Sequence, residues 1–165
     1  MKELKTADGI IYEEAVLLMK KAQEARRNAY TPYSHFAVGA ALLGSNDVIY
    51  TGCNVENAAY SPGNCAERTA VFKAVSEGCQ SFTAIAVVGA KEGDVPEGRA
   101  GETMADTRKE NDVTGTICSP CGVCRQVLRE FCDVKTFRVY LTDGVRLLCY
   151  TLEELLPLSF GPENL

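Results

Sequence analysis

Cys65, Glu67, Cys121 and Cys124 are the residues of this chain best suited to chemistry. They occur as Cys65-Ala66-Glu67 and, later, Pro120-Cys121-Gly122-Val123-Cys124. Three thiols and one carboxyl group are what a catalytic zinc site needs to add water to an amidine-like carbon. Three protein ligands leave the fourth tetrahedral position open for that water, whereas a structural zinc is normally closed by four. Bound zinc lowers the pKa of its water from about 15.7 to about 7. A base must take the released proton and later return protons to the substrate and its leaving group. Glu67, two residues from Cys65, is the candidate for both duties.

Other readings of the same residues exist. Cys-x-x-Cys also occurs in structural zinc sites and redox pairs. A redox role for Cys121 and Cys124 leaves Cys65 and Glu67 unexplained. Glu67 has the spacing of a capping-box partner for Asn64. A closed four-thiol site would recruit Cys118, Cys53 or Cys79. In the open-site reading, three thiolates outweigh the charge of Zn2+ and weaken it as a Lewis acid, so something must offset them. Arg68, next to Glu67, is placed to donate hydrogen bonds to thiolate sulfur.

The elements that position these groups follow from periodicity. Ile11, Ala15, Leu18, Ala22 and Ala25 recur at helical spacing and predict a helix over 11–27. Strands are expected over 36–43 and 48–53, joined by a turn at Gly44-Ser45-Asn46-Asp47, and over 82–88, 137–141 and 145–150. Asn64 is a good N-cap for a helix running to about Glu77 and ended by Gly78, which would put Cys65 and Glu67 in its first turn. Ser119 is a good N-cap and Pro120 suits the first position of a helix over 119–132, with Cys121 and Cys124 on one face. The positive helix ends would then favour thiolates. A short last helix is expected over 151–156. Helices between strands point to an α/β layered domain.

The chain has 165 residues, enough for one domain with a sizeable core. Apolar residues make up 46% and charged residues 24%, an ordinary globular balance. A net charge of -5 argues against broad phosphate-backbone binding, so no nucleic acid is expected as a partner. No apolar run reads as a membrane span or signal core, and a cytoplasmic location is expected. In that reducing setting, clustered cysteines read as metal ligands rather than disulfides. Residues 91–116 are rich in glycine and charge and read as a surface insertion into the single domain 1–165.

The motifs have a familiar pattern. Tyr33-Ser34-His35-Phe36-Ala37-Val38-Gly39-Ala40-Ala41 and Gly52-Cys53-Asn54-Val55-Glu56-Asn57-Ala58-Ala59-Tyr60 precede Cys65-Ala66-Glu67-Arg68-Thr69-Ala70. Ser119 to Gln126 and Leu155-Leu156-Pro157-Leu158-Ser159-Phe160 follow. Together they resemble the small, homotetrameric type of cytidine deaminase, from residue 11 to residue 162 outside the insertion. The resemblance implies a three-layer α/β/α sandwich around a mixed five-stranded sheet. It implies one Zn2+ per subunit on Cys65, Cys121 and Cys124, and conversion of cytidine and 2'-deoxycytidine to the uridines in pyrimidine salvage. It implies that Asn54 and Glu56 hold the ribose 3'-hydroxyl, and that Phe36 flanks the base. The main chain of Ala66 and the carboxyl of Glu67 would contact the pyrimidine. Phe160, Ala58 and Tyr60 would reach a neighbouring subunit's site.

Taken without the resemblance, Phe36 is a core residue, Asn54 a turn residue, Glu56 a solvated charge, and Tyr60 and Phe160 packing residues. His35, the only histidine, reads as a surface or packing residue. Three rivals stand beside the resemblance: a deaminase for another nucleoside, a nucleic-acid editing enzyme, and a non-catalytic zinc domain. No Gly-rich phosphate loop accompanies the site, which favours a free nucleoside over a nucleotide.

Overall fold

The computed structural model describes residues 2–3, 9–59, 61–91 and 116–165, with side chains from residue 12 onward. The chain runs β1 (Lys2–Glu3), α1 (Gly9–Arg26), β2 (Phe36–Gly44), β3 (Ile49–Cys53), α2 (Ala66–Ser76), β4 (Phe82–Lys91), α3 (Gly122–Phe131), β5 (Arg138–Thr142), β6 (Leu147–Thr151) and α4 (Leu152–Leu155). A short 3-10 turn, Pro162–Asn164, follows. Each helix and strand predicted from periodicity is present, most with ends moved by one to three residues.

The strands form one sheet in the order β1-β6-β5-β4-β2-β3. Among the described strands β4 and β5 pair in parallel and the other neighbours are antiparallel. The sheet is mixed and holds the five expected strands, with a two-residue sixth at its edge among the described residues. The addition is β1, whose Lys2 and Glu3 pair with Cys149 and Leu148 of β6. Two residues give no periodic signal, so sequence patterning places them only in a charged lead-in.

Strand alternation divides the core between the two faces. Ala41, Ala84, Ala86, Val88 and Tyr140 face α1 and meet Ala15, Leu18, Met19 and Ala22. Ala40, Leu42, Ile85, Val87, Val139 and Leu141 face the other way, toward Ala66, Ala70, Val71 and Ala74 of α2 and Leu128 of α3. Helices thus cover both faces, which gives the α/β/α layering. β4 is central and buried from Ala84 to Ala90, so it reads as a continuous apolar run rather than an alternating one.

Two local devices fix α2. A Cβ on Gly52 of β3 would lie 2.4 Å from the Ala66 carbonyl oxygen and 2.5 Å from the Ala70 nitrogen, so the helix backbone rests directly on the strand. At the other end Gly78 takes φ +90°. There Gly78 N–H donates to Val75 O and Cys79 N–H to Ala74 O, which is a Schellman closure.

Candidate active site

The thiols meet where α2 and α3 begin. Cys65 is the N-cap of α2 and Cys121 the N-cap of α3, both in extended backbone. The expected caps, Asn64 and Ser119, each sit outside the helix, and Pro120 precedes its cap. Asn64 is held away from capping because its own N–H and C=O pair with Val55. Its side-chain amide donates to Thr69 Oγ1 at 3.2 Å. Ser119 Oγ accepts from Arg125 Nη2 instead. The net effect brings the ligands nearer the helix ends than the sequence rule suggested. Cys65 and Cys121 occupy the cap positions, and Cys124 and Glu67 lie within the first turns.

Cys65 Sγ lies 3.9 Å from Cys121 Sγ, and Cys121 Sγ lies 3.5 Å from Cys124 Sγ. All three sulfurs fall within 4.8 Å of one another. A tetrahedral zinc with bonds of about 2.3 Å needs its sulfurs about 3.8 Å apart, so the triangle fits that ion. None of the eight cysteines is in a disulfide. Among the described residues the metal-ligating cluster contains Cys65, Cys121 and Cys124 only. Cys118, Cys53 and Cys79 lie outside it, which removes the closed four-thiol alternative.

The charges are arranged for thiolate. Arg68 Nη2 donates to Cys65 Sγ at 3.4 Å. Hydrogen bonding from the Cys124 thiol, aided by Arg68, pulls Cys65 down to about 5. Cys124 moves up in return, because it is the donor to Cys65 and is buried. Glu67 is only 4% exposed, and burial raises its carboxyl above the usual range. It makes no capping box with Asn64, whose N–H is taken by Val55.

The other residues named from sequence surround this centre unevenly. Asn54 Oδ1 accepts from Val38 N–H at 2.8 Å and its Nδ2 donates to Phe36 O at 2.9 Å. The amide thereby extends the β-ladder beyond the end of β3 and anchors the start of β2. Glu56 Oε2 accepts from the N–H groups of Tyr33 and Ser34 at 3.0 and 3.2 Å. Bonding from Ser34 and these amides keeps its carboxyl below the usual range. Ala66 is fully buried, whereas Ala58 is exposed and Phe160 is 60% exposed. Tyr60 and most of the 91–116 insertion lie outside the described residues. His35 is exposed, with φ +52°.

Two contributions were not found from sequence. A Cβ on Gly89 of β4 would fall 2.7 Å from both Phe36 Cε1 and Cys118 Sγ, so this glycine sets the seat of the Phe36 ring. Burial, with Glu67 and Cys65 adding to it, pushes Cys118 up to about 11, so it stays a thiol. Arg125 braces the approach to Cys121, donating to Pro120 O at 2.7 Å and Leu155 O at 2.6 Å. An arginine three residues into a helix carries no such signal before the fold is known.

Three thiols that fit a zinc ion, with a buried carboxyl beside them at two helix ends, are the donor set a zinc hydrolase would use. The model of the cytidine and deoxycytidylate deaminase zinc-binding region matches residues 12–141. The cytidine deaminase of Sporosarcina psychrophila is 46% identical over 149 residues, covering 90% of this chain and 92% of that protein. That of Halalkalibacterium halodurans is 42% identical over 151 residues, covering 90% and 96%. The crystal structure of cytidine deaminase from Burkholderia pseudomallei superposes with a TM-score of 0.68 at 39% identity, covering 87% of this chain and 97% of that one. The chain belongs to the cytidine and deoxycytidylate deaminase family.

Proposed function

We propose that this protein hydrolyses cytidine and 2'-deoxycytidine to uridine and 2'-deoxyuridine with release of ammonia, as a cytoplasmic step of pyrimidine salvage. The observation that carries this reading is the sulfur triangle of Cys65, Cys121 and Cys124 beside the buried Glu67. The names of the relatives support the substrate. Eight cysteines without a disulfide suit a reducing compartment. The whole chain acts as one domain, with residues 91–116 as an insertion.

Cys65, Cys121 and Cys124 hold one Zn2+ per subunit. When bound, that ion supplies a Lewis acid that makes its water nucleophilic at neutral pH. Glu67 takes the proton from the attacking water and delivers protons to N3 of the ring and to the departing 4-amino group. Burial holds its carboxyl above the usual range, which suits a group that must both accept and donate a proton. The Ala66 N–H binds the pyrimidine, and Arg68 offsets the thiolate charge through Cys65.

Asn54 and Glu56 hold the ribose 3'-hydroxyl. An amide has a second donor and a second acceptor beyond the pair used on β2, and a carboxylate has a second oxygen. Phe36 flanks the base. Ala58, Tyr60 and Phe160 complete a neighbour's site in a homotetramer. The exposure of Ala58 and Phe160 in the single chain supports that role.

The test is the ultraviolet absorbance change of cytidine with the zinc-loaded protein, beside a Glu67→Gln control. Steady conversion by the parent and near-silence from the control would establish the reaction and the proton shuttle. A folded, zinc-replete parent with no turnover would overturn the cytidine reading.

A further inference from the structure

We infer that Arg129 is a positioning residue for Phe160, a guanidinium clamp on α3 that aims this ring at a neighbouring subunit's site. The inference rests on the reading of Phe160 given above.

Arg129 is only 8% exposed. An arginine that buried is normally paired. Its Nε donates to Ser159 Oγ at 3.0 Å, and its Nη2 donates to the Glu163 carboxylate. Gly161 lies flat against the guanidinium: a Cβ there would fall 2.3 Å from Cζ and from Nη2. One turn earlier on the same helix, Gln126 Nε2 donates to the Phe160 carbonyl at 3.1 Å. The residues on both sides of Phe160, and its own backbone, are therefore fixed to α3. The residue itself remains 60% exposed.

The neighbouring backbone is itself constrained. Leu158 is held at φ +52°. A left-handed leucine persists only where its surroundings determine it. The same helix carries Cys124 in its first turn and Cys121 at its cap. One rigid rod thus joins the ligands of one site to the aromatic ring offered to another. A structural staple for the C-terminus would need the contacts on Ser159 and Glu163. It would not need Gly161 flattened on the guanidinium or a strained Leu158 before an outward ring.

Two variants disturb the clamp by different routes. Arg129→Met keeps the buried stem and removes the donors. Gly161→Ala keeps the charge and drives a methyl group into the guanidinium, at a residue whose extended backbone suits any side chain. Each is expected to keep its zinc and melting cooperativity, and to lose roughly ten- to hundredfold in kcat/KM for cytidine, chiefly through KM. If Arg129→Met fails to fold, Gly161→Ala carries the comparison.

The decisive measurement is subunit mixing. Glu67→Gln chains have dead sites and an intact clamp; Arg129→Met or Gly161→Ala chains have the reverse. Hybrid assemblies should exceed the summed activity of the two parents, because the Glu67→Gln chain donates a well-placed Phe160. A purely structural Arg129 would give no such recovery. Parental kcat/KM in both clamp variants alongside a loss in Phe160→Ala would overturn the clamp. Hybrids no better than their parents would overturn it too. Full activity in Phe160→Ala would instead overturn the reading of Phe160, and the clamp with it.

Discussion

Glu67 is a carboxyl group where folding alone would favour an apolar side chain. It is 4% exposed, and burial raises its pKa. Between the unfolded value of about 4.3 and the raised folded value, the folded metal-free protein keeps a proton that the unfolded chain has lost. Stability therefore falls as pH rises through that window. Glu67→Gln lacks this loss, so the metal-free variant should gain on the metal-free parent as pH rises from 4 to 8. Denaturant midpoints of both across that range measure it, and a constant difference would refute the burial argument. The same change should lower kcat by at least roughly 10²–10⁴-fold, since it removes the proposed proton carrier. The thiols and Glu67 were legible because their types and spacing are themselves the chemistry. Gly89 was not, because its importance lies in two side chains from other parts of the chain. Gly89→Ala should cost about 1–3 kcal/mol by overpacking and raise KM through the Phe36 ring. Cys118→Ala in the same chain should recover part of both losses in paired melting and kinetic measurements.

Helix ends decide the site, and they were the least legible elements. Propensity favours Asn64 and Ser119 as caps, but the backbone pairing of Asn64 with Val55 and the bond from Arg125 to Ser119 move the caps to the ligands themselves. Strands and helices were readable because each buries a periodic apolar face; β1 has no such face in two residues. Contacts between distant elements were invisible for the same reason as Gly89. Glu14 of α1 illustrates this. Its carboxylate accepts from Tyr140 OH at 2.8 Å and from Arg138 Nε and Nη2 at 3.2 Å, tying α1 to β5. Tyr140 is fully buried, while Glu14 and Arg138 remain partly exposed. Glu14→Ala leaves the tyrosine hydroxyl without its acceptor and should destabilise by about 1–3 kcal/mol, less than a fully buried pair would. Tyr140→Phe should cost about 1 kcal/mol. Urea titrations at fixed zinc would show both; a change under about 0.5 kcal/mol for Glu14→Ala would reduce the cluster to a surface pair.

The sulfur triangle joins segments 56 positions apart, and both lie on one face of the sheet. Each face has its own apolar core, but an ion held by the three sulfurs would tie together only the α2 and α3 side. Zinc bound only by the folded protein stabilises it by RT ln(1 + [Zn]/Kd), about 2.7 kcal/mol at a hundredfold excess over Kd. Its removal should therefore act unevenly. Chelation should abolish activity and lower the melting temperature. Hydrogen exchange should quicken at the amides of 118–126 and the first turn of α2, while β2 and β4 stay protected. Phe160 is tied to α3, so in the proposed homotetramer loosening the N-terminal end of α3 should also weaken subunit association. Exchange mass spectrometry and sedimentation on the chelated and zinc-restored protein test the two halves of this chain of effects. Uniform exchange across both faces would mean that the ion supports the whole fold. Unchanged exchange at 118–126 would mean that the sulfur triangle is held by packing alone and that the metal serves chemistry only.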